Sequence, residues 1–538
     1  MYGGVLMEEK IDKLFTRWKE DTAGGYVAIR SKGELVFEKA YGLADMENKI
    51  PVTKSTLFHI ASTSKQFTCF CILLLEESGL LDIDDDVKKY IPGLMPYECS
   101  ITIRQLMNHT SGIRELYNLY SFGGLLFDDI STNEHIRNYT KRLRTLSFKP
   151  GSDFSYCNTG YFLLSEIVTA VTKESIREFA RKNIFDPLDM KDTFWLDDYT
   201  EIVPNMSQCY YDDGQGKWKK AFVSSEVVGS SGIISNPADL LKWTAHYLAP
   251  IICKPETLRK MQESGVLDNR TETGYGMGLY VSKTHSGLRY FEHSGSTGAY
   301  RAALMVFPEA ELELIITANN AAVDLNQACF TIASIISGQN CTPTNYGGNI
   351  PSLPEPKLLD YSGNAEGRYV ILDSYVVELK KQGDGYQLLT PRETFPMEHV
   401  EKNKYVAPQM GYHFFLFDGY ILINALGKTI RSDKLNTITL EPERIHELCG
   451  LYYCHETNGV FEVEATMGGI LLRHARLGVF TCIAKSDSEF ICLFESLCTL
   501  SFRNNSFELS AARTRGLLFR KIGSERNGNK SEYLECNP

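Results

Sequence analysis

The stretch Phe58-His59-Ile60-Ala61-Ser62-Thr63-Ser64-Lys65-Gln66-Phe67-Thr68 decides how this chain is read. Behind it, apolar residues from Phe67 through Cys71 to Leu74 recur at helical spacing, and Ser78-Gly79 supplies a stop signal. The pattern predicts a helix that opens near Ser62. Ser62 and Lys65 stand three apart, so they share a face of that helix and the amine reaches the hydroxyl. A serine is a poor nucleophile until a neighbouring base takes its proton. A lysine held in a dry cleft with a lowered pKa can be that base. The unpaired N–H groups and partial positive charge of a helix start suit a developing oxyanion. Ser-x-x-Lys alone also describes an N-cap serine beside a surface lysine, so its weight depends on partners elsewhere.

The chain has 538 residues, 43% hydrophobic and 23% charged, a globular composition too long for one typical domain. Its net charge is -11, and no block of Lys and Arg interleaves with aromatics, so nucleic acid is not an expected partner. The N-terminus lacks a basic region, an apolar core and a cleavage site, and runs such as Cys69 to Leu75 are too short to cross a bilayer. A cytoplasmic protein with no membrane span is expected. Fourteen cysteines are scattered without a dense framework and read as small buried hydrophobes in a reducing compartment.

Outward from the opening stretch, Met7 to Glu20 has the spacing of an amphipathic helix, with Ile11, Leu14, Phe15 and Trp18 on one face. Gly25 to Gly42 reads as a hairpin turning at Ser31-Lys32-Gly33-Glu34. Helical patterns dominate from Ser62 to about Leu248; strand patterns return at Gly274 to Ser282, Arg289 to His293, Tyr300 to Phe307 and Leu312 to Ala318, before a helix at Asn326 to Ser337. Strands on both sides of a helical insertion predict one antiparallel sheet flanked by helices. Beyond a Pro- and Gly-rich break, short strands separated by turn residues predict two small antiparallel β-barrels. Gly367-Arg368-Tyr369 opens the first and Gly450-Leu451-Tyr452 the second. The expected organisation is multidomain α+β: a catalytic domain at 1–340, a linker at 341–365, barrels at 366–443 and 444–522, and a polar tail at 523–538.

Two further stretches offer partners for Ser62 and Lys65. Tyr156-Cys157-Asn158 places a phenol and an amide two apart, on one side of an extended segment. Cationic neighbours can make the phenol a base, and the asparagine can hold Lys65 or a substrate amide. Glu292-His293-Ser294-Gly295-Ser296-Thr297-Gly298 lies where an apolar strand meets a Gly-rich turn. An imidazole pointing inward from an edge strand there can meet a substrate carboxylate or the tyrosine, and Gly295 lets substrate lie against the backbone. The backbone N–H groups of Ser62 and Ser296 are the candidate oxyanion donors. Thr102 to Ile113 carries no derivable chemistry. Cys449, Cys454 and His455 near His446 suggest metal-ligand spacing, but strand alternation sends Cys454 and His455 to opposite faces, so a structural role is expected and no metal or cofactor.

In order and spacing, Ser62-x-x-Lys65, Tyr156-x-Asn158 and His293-x-Gly295 resemble the three active-site elements of the penicillin-recognising serine hydrolases, which include class C β-lactamases, D-Ala-D-Ala carboxypeptidases, esterases and D-aminopeptidases. The resemblance covers roughly residues 8 to 340. It implies a transpeptidase-like fold in which Ser62 is acylated, Lys65 and Tyr156 exchange its proton, and His293 stands at the third element. Asn158, Gly295 and Ser296 would then bind substrate.

Class C β-lactamases usually carry Lys-Thr-Gly where this chain has His293-Ser294-Gly295, which turns the expectation toward the carboxypeptidase and aminopeptidase branches. The two trailing barrels are similar to the architecture of bacterial D-aminopeptidase. In that enzyme an acidic residue on a loop of the last barrel helps receive the substrate amine. The matching region here, Leu472 to Gly478, is basic and short, with Asp487 the nearest acidic residue. The expected substrate is a small peptide, amide, ester or β-lactam. A D-amino-acid-directed peptidase or amidase leads, an esterase or β-lactamase of the same family follows, and a catalytically silent binder of cell-wall-like peptides is the alternative from another class. The assembly stays open, a homodimer among the options.

Overall fold

The computed structural model describes residues 2–126, 128–213, 216–344, 356, 358–360, 363–371, 375–383, 385–390, 394–408, 412–425, 428–494, 497–511 and 513–523. Most of the expected linker at 341–365, and the tail from 524 onward, lie outside the described residues. Contacts divide the chain into two units, one of Met1–Leu116 with Phe127–Asn349, the other of Tyr117–Leu126 with Ile350–Pro538.

In the first unit the apolar run Tyr26-Val27-Ala28-Ile29 becomes β1 (Gly25–Ser31), which turns into β2 (Glu34–Tyr41) through Lys32 and Gly33, both with positive φ (52° and 80°). Two consecutive left-handed residues give the primed turn that matches strand twist. The strands β3 (Tyr280–Lys283), β4 (Arg289–Thr297), β5 (Tyr300–Phe307) and β6 (Leu312–Ala318) complete one sheet in the order β3-β4-β5-β6-β1-β2. Every pairing is antiparallel, and β1 joins the late strands in the register Val27↔Ile316 and Ile29↔Leu314. Strands from the two sequence ends of the unit therefore meet in one sheet, as the pattern predicts.

One face of this sheet buries Val27, Ile29, Met305, Phe307, Leu314 and Ile316 against Ile11, Phe15 and Trp18 from the N-terminus and Cys329, Phe330 and Ile332 from α5 (Leu325–Ser337). The N-terminal helix α1 (Tyr2–Asp12) is shorter than the spacing suggests and tightens into a 3₁₀ turn at Lys13–Phe15. The tighter winding seats Trp18 on Phe15, ring centroids 4.9 Å apart, with its indole N–H donated to Asn320 Oδ1 at 3.0 Å. On the other face lie α2 (Lys65–Glu77), α3 (Asn158–Thr172) and α4 (Pro237–Leu248).

Two expectations need correcting. The insertion also holds short strands, Phe58–His59 pairing with Ile233–Ser235 and that in turn with Phe194–Trp195, each too brief to show a period in sequence. The strand expected from Gly274 begins only at Tyr280, because Gly274 and Gly278 take left-handed φ of 71° and 79°.

The second unit carries two eight-stranded antiparallel sheets, each ordered by sequence. The first runs from Gly367–Ile371 to Lys428–Asp433 and is nearly closed by a bridge from Tyr369 to Lys434. The second, Gly450–Cys454 to Thr514–Gly523, closes through Tyr452↔Lys521. The repeat visible in sequence has a shared geometry. Tyr369 and Tyr452 each donate a hydroxyl to the carbonyl four residues upstream, Ala365 and Leu448, both at 2.8 Å. Gly367 and Gly450 share φ near 147° and 142°, and a Cβ at either would strike a lysine side chain, Lys434 or Lys521. Within this unit the excursion 117–126 packs on the closed barrel, Phe122 against Phe494 and Gly124 against His474. Leu472–His474 belongs to a barrel strand, Asp487 is exposed, and Cys454 is buried while His455 is exposed. No helix among the described residues is long and apolar enough to cross a membrane.

Candidate active site

The strand Phe58–His59 ends in a sharp bend, where Ala61 takes a left-handed φ of 50° and its N–H donates to His59 Nδ1 at 3.0 Å. Such a conformation costs a Cβ-bearing residue on the order of 1–3 kcal/mol and persists only where the surroundings impose it. A 3₁₀ turn over Ala61–Ser64 follows, then α2, so Ser62 sits at the helix entry. Lys65 has no exposed surface. Its Nζ lies 3.1 Å from Ser62 Oγ, 2.7 Å from Asn158 Oδ1 and 2.7 Å from the Ser230 carbonyl. It also stands 4.7 Å above the Tyr156 ring centroid and 5.3 Å from that of Tyr161. An amine sunk among three oxygens and two aromatic faces has one geometry available to it.

Tyr156 and Asn158 reach the amine from the segment that enters α3, where Asn158 is the first helical residue. Three contacts fix this entry. Cys157 N–H donates to His109 Nδ1 at 3.0 Å, and Thr159 donates its hydroxyl to the Arg114 carbonyl at 2.7 Å. Glu115 accepts both the backbone N–H and the side-chain N–H of Asn158, each at 2.6 Å. His109 also lies against Tyr156, ring centroids 4.3 Å apart.

His293 enters from β4 and is buried. Its Nδ1 donates to the Ser294 carbonyl at 2.7 Å, which leaves Nε2 to accept the Tyr275 hydroxyl at 3.0 Å. Burial, then the nearby Lys65 charge, push its pKa down to about 3 against the opposing pull of the Ser294 carbonyl. The imidazole is therefore neutral at any ordinary pH. The tyrosine it bonds is Tyr275; Tyr156 lies alongside at 6.1 Å between ring centroids. Nor is β4 an edge strand, since it runs between β3 and β5. Its pairing with β3 nevertheless stops at Tyr280↔Glu292, which leaves His293 to Thr297 without a strand partner on that side.

That open edge lies against the serine turn. A Cβ on Gly295 would come 2.0 Å from the Ile60 carbonyl, and the Thr63 hydroxyl donates to the His293 carbonyl at 3.2 Å. The backbone segments carrying Ser62 and Ser296 therefore run side by side. The Ser296 side chain alternates away from His293 and is exposed, so its backbone N–H is the group left for the cleft. Ser62, Lys65, Tyr156 and Asn158 thus gather round one amine, and His293 stands beside Tyr156.

Sequence reasoning missed Glu115, His109, Tyr275 and the Ser230 carbonyl. A carboxylate and a guanidinium at Glu115 and Arg114, flanked by Ile113 and Leu116, were the available signal, because charges in an apolar run need partners.

A family model described as Beta-lactamase matches residues 9–328. The D-aminopeptidase of Brucella anthropi is 28% identical over 279 residues, 52% of this chain and 52% of that protein. Penicillin-binding protein 4* of Bacillus subtilis (strain 168) is 29% identical over 393 residues, 70% of this chain and 83% of that one. The chain spans about half the length of the D-aminopeptidases of Brucella anthropi and Gluconobacter oxydans. The octameric penicillin-binding protein homologue from Pyrococcus abyssi shares its fold, with a TM-score of 0.57 at 22% identity over 88% of this chain and 98% of that one.

Proposed function

The chain belongs to the beta-lactamase family, and from that premise we propose that it is a serine hydrolase acting through an acyl-enzyme on Ser62, directed at amides or short peptides of D-amino acids. The observation that carries the reading is the environment of Lys65. Lys65 Nζ donates to Asn158 Oδ1 and the Ser230 carbonyl at 2.7 Å and to Ser62 Oγ at 3.1 Å. Once the ammonium gives up a proton, the two shorter bonds keep its hydrogens and the lone pair turns to the Ser62 hydroxyl. Ser62 Oγ attacks the substrate carbonyl as its proton passes to Lys65, and the N–H groups of Ser62 and Ser296 receive the oxyanion. Tyr156, over whose ring the amine stands, relays the proton to the leaving amine. Water then releases the acyl group by the reverse path.

The neutral His293 supports the substrate class. Where the third element carries lysine, a substrate carboxylate finds a cation. Here it meets an uncharged ring whose nitrogens are both engaged. Arg301, paired with Ser296, lies on the opposite sheet face and donates to the Gly298 and Tyr300 carbonyls. Substrates without a carboxylate beside the scissile bond are therefore favoured, which suits amino-acid amides and N-terminal residues better than β-lactams. The likeness to D-aminopeptidases supports the stereochemistry.

One preparation assayed with D-Ala and L-Ala nitroanilides, a chromogenic cephalosporin and a short-chain nitrophenyl ester tests this. Turnover of the D-anilide above the L-anilide and the cephalosporin is expected. Preference for the cephalosporin overturns the substrate class, and absence of any burst with the ester favours the silent binder.

A further inference from the structure

We propose that Glu115 is a positioning residue that, through Asn158, holds the amine of Lys65 against Ser62; the inference rests on the reading of Lys65 as the base. Glu115 is 1% exposed, and its two oxygens accept the backbone N–H and the side-chain Nδ2–H of Asn158, both at 2.6 Å. A carboxylate has only acceptors, so the nitrogen end of the Asn158 amide must face it. The oxygen end is thereby turned to Lys65 Nζ at 2.7 Å. The orientation of this amide is set by chemistry and does not depend on telling oxygen from nitrogen.

Asn158 Oδ1 and the Ser230 carbonyl each accept from Lys65 Nζ at 2.7 Å and hold the amine 3.1 Å from Ser62 Oγ. If the Asn158 amide were reversed, Nδ2–H would face the amine, donor against donor, and displace it from Ser62. Glu115 prevents the reversal through its two bonds to Asn158.

Glu115→Gln removes the constraint at nearly constant volume. The new amide keeps one acceptor, which the backbone N–H of Asn158 takes, and sets its own N–H groups against Nδ2. Two donors face each other, and rotation of the Asn158 amide relieves them at the expense of Lys65. Asn158→Asp alone sets two carboxylates against each other. Together, the two substitutions restore complementarity: the new amide donates to the new carboxylate, whose other oxygen again accepts from Lys65.

The test measures formation of the Ser62 adduct with a fluorophosphonate, by intact mass, in the wild type, both single variants and the double variant, with Ser62→Ala as control. Each single variant is expected to be slower by roughly a hundredfold, the scale of a misplaced base, and the double variant to recover to within about tenfold of wild type. A merely structural carboxylate predicts losses that multiply. A double variant more than about tenfold slower than wild type, or unable to fold, overturns the proposal. If a single variant does not fold, the double variant decides alone by the same threshold. A wild type that gives no adduct on Ser62 instead refutes the reading beneath the proposal and the proposal with it, and is told apart by the control.

Discussion

His293 and Tyr275 hold each other in the buried wall of the cleft, the tyrosine hydroxyl donating to the imidazole Nε2 at 3.0 Å while Nδ1 is spent on the Ser294 carbonyl. Both nitrogens are occupied, and burial with the neighbouring Lys65 charge puts the pKa at about 3. The rate profile for acylation should therefore show no imidazole step between about pH 5 and 8, although histidine ordinarily titrates there. A step near the usual histidine pKa that disappears in His293→Gln would contradict this. His293→Lys should raise kcat/KM for the cephalosporin relative to the neutral ester, because a cation then faces the substrate carboxylate.

Gly295 cannot carry a side chain. Its Cβ would sit 2.0 Å from the Ile60 carbonyl, a backbone atom two residues before Ser62. Gly295→Ala should push β4 off the serine turn, destabilise the first unit by about 1–3 kcal/mol and lower the acylation rate far more than its effect on melting explains. Thermal unfolding and burst amplitude measured on the same sample check both parts. Unchanged acylation would show that the closeness of the two segments does not matter.

The stability of the first unit should depend on pH from both sides. His59, His246 and His293 are held neutral by burial, with pKa near 4, 4 and 3. Below the usual histidine pKa the unfolded chain binds protons that the native chain refuses, so stability is lost as pH falls from about 6.5. Glu292 has the opposite sign. It faces the apolar side of the sheet opposite Met305, with Oε2 unpartnered, and burial raises its pKa to about 8. The native carboxyl keeps its proton where the unfolded one has lost it, so stability falls as pH rises from the ordinary carboxyl value toward 8. Glu292→Met should abolish the alkaline fall, worth on the order of a few kcal/mol, and raise Tm at pH 8 more than at pH 5. Equal shifts at both pH values would contradict this account.

The sheet was legible because its strands are short apolar runs rich in Val, Ile and Leu, as in Val27 to Ile29 and Leu312 to Ala318, and because Gly and Pro mark where they end. The barrels were legible through a repeated glycine and tyrosine whose shared hydrogen bond makes the repeat a structural one. Ser62, Lys65, Tyr156 and Asn158 could be found because their spacing carries chemistry. Glu115 could not, since its role depends on Asn158, 43 positions on, and no local pattern encodes that meeting. Tyr275 was hidden for the same reason: its partner His293 stands 18 positions away, on the far side of β3 in sequence.

The amine of Lys65 and the hydroxyl of Ser62 are the centre of the account, and intact-mass analysis after brief exposure to a fluorophosphonate tests them most directly. One adduct per chain, mapped to the peptide containing Ser62, absent in Ser62→Ala and strongly slowed in Lys65→Ala, is the predicted result. Full labelling of Ser62→Ala, or an adduct mapped to any other residue, would contradict it.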